Sequence, residues 1–241
     1  MGFDLEGRRA LVTGGSKGLG REICAALIEA GAQVTGVARA SSSLDNAAQQ
    51  FGSAFEPWPF DATGTDLLTA IEKSPAFDIL VNNAGTNRPQ PFAEVTDEAL
   101  EMLIDLNIRS VFKISRAVVR KMRPGASICH VTSQMGHVGS PNRTAYCMTK
   151  HAIEGLSKAM AVELAPAGIR VNCVAPTFVR TPLTSEMLDD PEFAGFVQRM
   201  IPMGELATAE QVALAVVYLS SSAAEMITGH SLLIDGGWTA Q

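Results

Sequence analysis

Tyr146 and Lys150 stand four residues apart, in Tyr146-Cys147-Met148-Thr149-Lys150. On a helix this spacing puts the two side chains one turn apart on a common face. An ammonium so placed favours the ionised phenol and draws its pKa down from about 10. A phenol poised that way gives or takes a proton at neutral pH, as general acid–base catalysis requires. On a solvated helix the same pair is only a surface contact. The surroundings separate the two readings: Ser133 precedes Tyr146 by thirteen residues, Asn107 lies further back, and Thr13-Gly14-Gly15-Ser16-Lys17-Gly18-Leu19-Gly20 opens the chain.

The elements that must position these residues follow one rhythm. Strand-like runs fall at 10–13, 33–37, 54–60, 78–82, 127–132, 170–174 and 232–234. Helical patterns fall between them, near 18–30, 43–51, 64–73, 97–122, 145–165 and 209–221. Strands separated by helices imply βαβ units and a parallel sheet covered on both faces. No repeat or low-complexity linker interrupts the 241 residues, which read as one domain, 1–241. Residues 183–205 break the rhythm: they are bounded by prolines and rich in methionine, and they read either as a lid over a site or as a peripheral helical excursion. In the glycine turn, Gly14 permits a tight bend, Gly18 a close backbone approach, and Gly20 contact between helix and strand. Such a turn aims free amide donors at a pyrophosphate. The spacing is GxxxGxG, and no phosphate loop of the GxxxxGK[ST] type occurs.

Composition narrows the class further. The chain is 46% hydrophobic but only 6% aromatic, so its core is built from aliphatic residues, as in helices packed on a buried sheet. A net charge of −6 without a basic cluster argues against nucleic acid as a partner. Cys24, Cys129, Cys147 and Cys173 form no CxxC pair and no metal-ligand spacing with the histidines. They read as small reduced core residues, and no metal is expected. No signal peptide or membrane-length apolar run is visible, so the expectation is a cytoplasmic protein without a membrane partner.

Taken in order, Thr13–Gly20, Asn82-Asn83-Ala84-Gly85, Asn107, Ser133 and Tyr146 with Lys150 resemble the short-chain dehydrogenase/reductase family. The resemblance runs through to Asp235-Gly236-Gly237. It implies an α/β, single-domain, Rossmann-type doubly wound parallel sheet of seven strands, hydride transfer with a nicotinamide cofactor, and a homotetramer or dimer built on the helices near 97–122 and 145–165. It further implies roles. Tyr146 exchanges the proton with the carbonyl or alcohol oxygen, and Ser133 holds that oxygen. Lys150 lowers the Tyr146 pKa and bonds the nicotinamide ribose. Asn107 seats Lys150 through a water. Gly14, Ser16, Lys17, Gly18, Leu19 and Gly20 take the pyrophosphate side. Asn83, Ala84 and Gly85 line the adenosine side, and Asp61 with Ala62 meets the adenine, although Asp61 by itself reads equally as a helix cap. Pro176, Val179 and Thr181 lie against the nicotinamide. The family commonly has Pro-Gly where this chain has Pro176-Thr177, which puts the local backbone shape in question.

Cofactor choice is argued from charge. The stretch after the second strand, Val37-Ala38-Arg39-Ala40-Ser41-Ser42, lacks the acid that binds a ribose 2′-hydroxyl. Arg39 suits a 2′-phosphate, and Lys17 adds a second cation. NADP is therefore expected, with NAD still possible. Gln134, His137 and Arg143 are candidate substrate residues, with Asn87, Arg88 and Asn142 nearby. Such polar groups suit a sugar, polyol or sugar acid. Segment 190–204 resembles sugar-acid-oxidising members such as gluconate 5-dehydrogenases. A 3-oxoacyl thioester reductase is the alternative, and a non-catalytic dinucleotide-binding regulator is the alternative from another class. His130 and His151 are expected to have no catalytic role.

Overall fold

The computed structural model describes residues 3–181 and 184–241. Seven parallel strands form one sheet: β1 (Arg9–Thr13), β2 (Gln33–Ala38), β3 (Phe55–Pro59), β4 (Ile79–Asn82), β5 (Ser127–Val131), β6 (Arg170–Pro176) and β7 (Ser231–Ile234), in the order β3-β2-β1-β4-β5-β6-β7. The helices are α1 (Gly18–Glu29), α2 (Ser42–Phe51), α3 (Thr65–Lys73), α4 (Asp97–Ile104), α5 (Ser110–Val119), α6 (Thr144–Leu164), α7 (Ser185–Leu188), α8 (Pro191–Met200) and α9 (Ala209–Ser220).

The aliphatic pattern explains both layers. Side chains alternate across a strand. Val12, Val81 and Cys129 therefore pack against α1, α2 and α9 on one face, through Ile23, Leu27, Leu44 and Val216. Their neighbours Leu11, Leu80 and Ile128 pack on the other face against Leu67 and Ile71 of α3, Ile114 of α5 and Ala161 of α6. Each fully buried Leu or Ile contributes about 1.5–3 kcal/mol. Pro57 and Pro59 lack the amide donor a central strand needs, which suits their place on the edge strand β3.

One expectation needs correcting. The helix expected over 97–122 is divided into α4 and α5 by a π-helical turn, Asp105–Arg109. Asn107 sits inside that turn and is 3% exposed. Its side chain is bonded elsewhere in the fold, so tertiary contacts override a continuous helical pattern. The stretch 183–205 holds two helices, α7 and α8, packed on the body by a third apolar cluster of Met135, Cys147, Phe178, Leu188, Val197 and Ile201, with Tyr146, Phe193 and Trp238 against it. Leu183, at the start of that stretch, lies outside the described residues.

Candidate active site

The strand order reverses between β1 and β4, and ligands of doubly wound sheets bind beyond the carboxyl ends of the strands at that reversal. The glycine turn leaves β1 there. Gly14 has φ +70°, and a Cβ on it would lie 2.8 Å from Asn83 Nδ2. A Cβ on Gly20 would lie 2.0 Å from the carbonyl oxygen of Gly14, so no side chain fits. The turn thus presses the first turn of α1 against the end of β1. Thr13 Oγ1 accepts from the amides of Asn83 and Ala84, both at 3.0 Å, and Asn83 Nδ2 donates to Thr13 O at 2.9 Å. Those bonds lock the end of β4 to the glycine turn. The backbone cradle and helix N-terminus fit a pyrophosphate, a fit that side chains at Gly14 or Gly20 would abolish.

The chain leaving β4 is held from the other side. Asn107 Oδ1 accepts from Thr86 N and Asn107 Nδ2 donates to Thr86 O, both at 2.9 Å. The same Nδ2 lies 3.1 Å from Thr149 Oγ1, which in turn donates to Tyr146 O at 2.8 Å. Asn107 therefore ties the loop after β4 to α6 at the Tyr146 turn. It reaches α6 through Thr149, a residue the sequence reading had not singled out.

Ser133 follows β5 as the cap of a short turn, Gln134–Gly136, where its Oγ accepts from Met135 N at 3.2 Å. Its hydroxyl donates to Gln134 Oε1 at 2.7 Å. Lys150, 8% exposed, donates to Val131 O at 2.9 Å, and its Nζ is 5.5 Å from the Tyr146 ring centroid. Ser133 and Tyr146 line one small pocket together with Asn87, Gln134, Met135, Thr177, Phe178, Thr184 and Met187.

The electrostatics differ from the expectation that Lys150 draws Tyr146 down. Burial pushes the Tyr146 phenol up to about 12, with Ser133 and the Arg143 guanidinium opposing the rise. Burial also lowers the Lys150 ammonium to about 8. Desolvation thus outweighs charge attraction here, and the phenol is held protonated at neutral pH.

The remaining candidates divide by place. Ser16 is buried in the glycine turn, Leu19 is half-buried beside it, and Lys17 and Arg39 are exposed after β1 and β2. Asp61, after β3, accepts from Thr63 N and Thr63 Oγ1 at 2.8 and 2.7 Å. These bonds, with a smaller contribution from Arg39, hold its carboxyl below its usual range. It is not the cap of α3, whose capping position is Gly64. Ala62 is half-buried beside it. Gly85 lies against Asn107, Pro176 ends β6, Val179 bridges to Ala207, and Thr181 bonds to Thr184. Thr177 keeps a negative φ, and among the described residues its buried Oγ1 has no partner. Its side chain adds to the pocket wall.

Among the substrate candidates, Gln134 and Asn87 line the pocket, whereas Arg88 and Asn142 are exposed. His137 is turned away from it. Its Nε2 lies 3.0 Å from Ser231 Oγ and 3.3 Å from Glu154 Oε1, in a cluster that also holds Thr132. Arg143 sits behind Met187 and Phe178. His130 is wholly buried on β5 and lowered to about 4 by burial and by Lys150, and His151 bonds Cys147 O within α6. Pocket residues Met135 and Phe178 escaped the sequence reading because apolar types carry no chemical signature, whereas Met187 belongs to the methionine-rich stretch read there as a lid.

The fold and this set of residues define a nicotinamide-dependent oxidoreductase. The chain belongs to the short-chain dehydrogenase/reductase family, NAD(P)-dependent enzymes that interconvert secondary alcohols and ketones. Residues 14–239 match a family model described as enoyl-(acyl carrier protein) reductase. The chain is similar to D-erythrulose reductase of Gallus gallus, 40% identical over 98% of this chain and 97% of that protein. It is also similar to L-xylulose reductase of Bos taurus, 40% identical over the whole of both. A crystal structure of a gluconate 5-dehydrogenase from Burkholderia cenocepacia, in complex with NADP and tartrate, superposes with a TM-score of 0.94 at 31% identity, covering 99% of this chain and 98% of that one.

Proposed function

We propose that this enzyme reduces a small polyhydroxylated ketone, or oxidises the matching secondary alcohol, with NADP. The observation that carries the reading is the pocket in which Ser133 and Tyr146 meet Asn87, Gln134 and Thr177, whose amide and hydroxyl groups have unpartnered atoms. Buried polar groups without partners select a ligand that supplies them. The relatives named for ketoses and for gluconate support the same class.

In reduction, Tyr146 O–H gives its proton to the carbonyl oxygen, and Ser133 steadies the charge growing there. Lys150 carries the charge that stabilises the phenolate left behind. Asn107 keeps Thr86, Thr149 and Tyr146 in register. The cofactor, when bound, supplies or accepts the hydride. Gly14, Ser16, Lys17, Gly18, Leu19 and Gly20 would hold its pyrophosphate side, and Asp61, Ala62, Asn83, Ala84 and Gly85 its adenosine. Pro176, Val179 and Thr181 would hold its nicotinamide, with Lys17 and Arg39 facing a 2′-phosphate.

We read the chain as one domain, with α7 and α8 as a lid that brings Met187 to the pocket. A homotetramer is supported by apolar side chains left exposed on α4, α5 and α6 (Met102, Phe112, Met148 and Val162) and by Leu214 and Leu233 on α9 and β7. Four free thiols fit a reducing, cytoplasmic setting. Among the described residues no helix is long and apolar enough to cross a membrane.

The test is turnover with NADPH and NADH on a panel of ketoses, keto acids and a 3-oxoacyl thioester. The proposal expects turnover within the first two classes. Activity on the thioester alone moves the assignment to acyl chains, and no turnover on any carbonyl leaves a dinucleotide-binding regulator.

A further inference from the structure

Arg143 carries a charge that, beyond its pull on the Tyr146 phenol, has no assigned role in the proposed reaction. It stands three residues before Tyr146, at the N-terminal end of α6, and is 6% exposed. Among the described residues its Nη1 is buried without a partner, and its Nη2 points at Met187 Sδ, 3.3 Å away. Its Cζ lies 5.8 Å from the ring centroids of both Phe178 and Phe193. Among the described residues Arg143 forms no ion pair.

An arginine stays charged when buried, and a buried charge without a counter-ion is costly. A thioether is a weak acceptor, but its side chain is flexible. Met187 also lines the pocket beside Ser133 and Tyr146. A rotation of Met187 would therefore open the guanidinium to a ligand already placed at the reacting groups. The aromatic walls keep water out, which strengthens an ionic bond formed there.

We infer that Arg143 binds a carboxylate of the substrate, which takes the place of the Met187 thioether, so that the enzyme acts on a hydroxy or keto acid rather than a neutral sugar. This rests on the carbonyl–alcohol reading above and selects among its substrates. A planar carboxylate matches the guanidinium fork. If the aromatic box only packs the arginine, no such ligand preference follows.

The experiment uses the full chain saturated with NADPH and three probes: L-tartrate, threitol and inorganic phosphate. Threitol has the carbon skeleton of tartrate, with hydroxymethyl groups in place of both carboxylates. Tartrate should bind at least about tenfold tighter than threitol. Arg143→Met should remove that difference and leave the NADPH affinity unchanged, and Arg143→Lys should restore part of it. With the buried charge gone, the melting temperature of ligand-free Arg143→Met should not fall. Equal binding of tartrate and threitol by the wild type, or undiminished tartrate binding by Arg143→Met, overturns the inference. Phosphate binding tighter than tartrate and lost in Arg143→Met overturns the carboxylate in favour of a phosphate ester. If Arg143→Met does not fold, the wild-type comparison decides alone. Turnover of neutral ketoses without any tartrate preference defeats this inference and spares the reading beneath it. Absence of all carbonyl turnover defeats that reading instead.

Discussion

Ser133 Oγ lies 2.7 Å from Gln134 Oε1, so the hydroxyl proton assigned to the substrate oxygen is held by a neighbouring amide. Gln134 can present either end of that amide. With Nε2 turned to Ser133, the amide donates and the serine proton is free for the substrate. A glutamate at 134 can only accept when ionised. Gln134→Glu should therefore lower kcat for reduction by ~10-fold or more at pH 8, against ~10²–10³-fold for losing one oxyanion donor outright. Activity should recover partly at acid pH, as the new carboxyl is protonated. A kcat–pH profile that overlays the wild type would refute the coupling.

Tyr146→Phe should cost ~10²–10⁴-fold in kcat, the usual worth of a general acid. Cofactor affinity should be nearly unchanged, because the ring still packs. Burial holds the phenol protonated, up to about 12 in the ligand-free chain. Reduction should therefore keep its rate from pH 6 to about 8 and fall above that as Lys150 loses the charge that stabilises the phenolate, while oxidation, which needs the phenolate, should rise with pH. A variant retaining more than about a tenth of the wild-type rate would remove Tyr146 from the proton-transfer role.

Arg39→Asp should turn preference from NADP toward NAD. The carboxylate repels a 2′-phosphate and accepts from a 2′-hydroxyl. Arg39 is exposed after β2, where its charge makes only a small contribution to Asp61. The readout is kcat/KM with each cofactor in both proteins, and a wild type that already favours NAD contradicts the role of Lys17 and Arg39.

Lys150 also sets a pH dependence of stability. Burial lowers its pKa from 10.5 to about 8. Between those values the unfolded lysine is protonated and the folded one is not. Stability conferred through this group therefore rises with pH across the window. At pH 7 its burial costs about 3 kcal/mol. The buried thiols act oppositely above pH 9 in any variant, since their pKa values are raised on folding. The measurement is thus the difference between wild type and Lys150→Met in denaturant unfolding from pH 7 to 10. The variant's advantage should shrink as pH rises, while its turnover is lost. A difference independent of pH would show that Lys150 is not strained by burial.

The sequence by itself determined the layered parallel sheet, the glycine turn and the reacting groups. Periodicity reports which faces must be buried, and Tyr146, Lys150, Ser133 and Asn107 have chemically distinctive side chains at telling spacings. Helix continuity through Asn107 was not legible, because bonds to Thr86 and Thr149, from distant parts of the chain, set the π-helical turn. Only the tertiary structure decided that His137 turns to Glu154 and Ser231, that Arg143 is buried with no counter-ion among the described residues, and that Met187 screens it from the pocket. A polar residue near a catalytic pair in sequence can face either way, and its direction depends on which elements pack around it. The phenol's pKa belongs to the same class. The Tyr–Lys spacing predicts attraction, but burial is a property of the whole fold, and here it prevails.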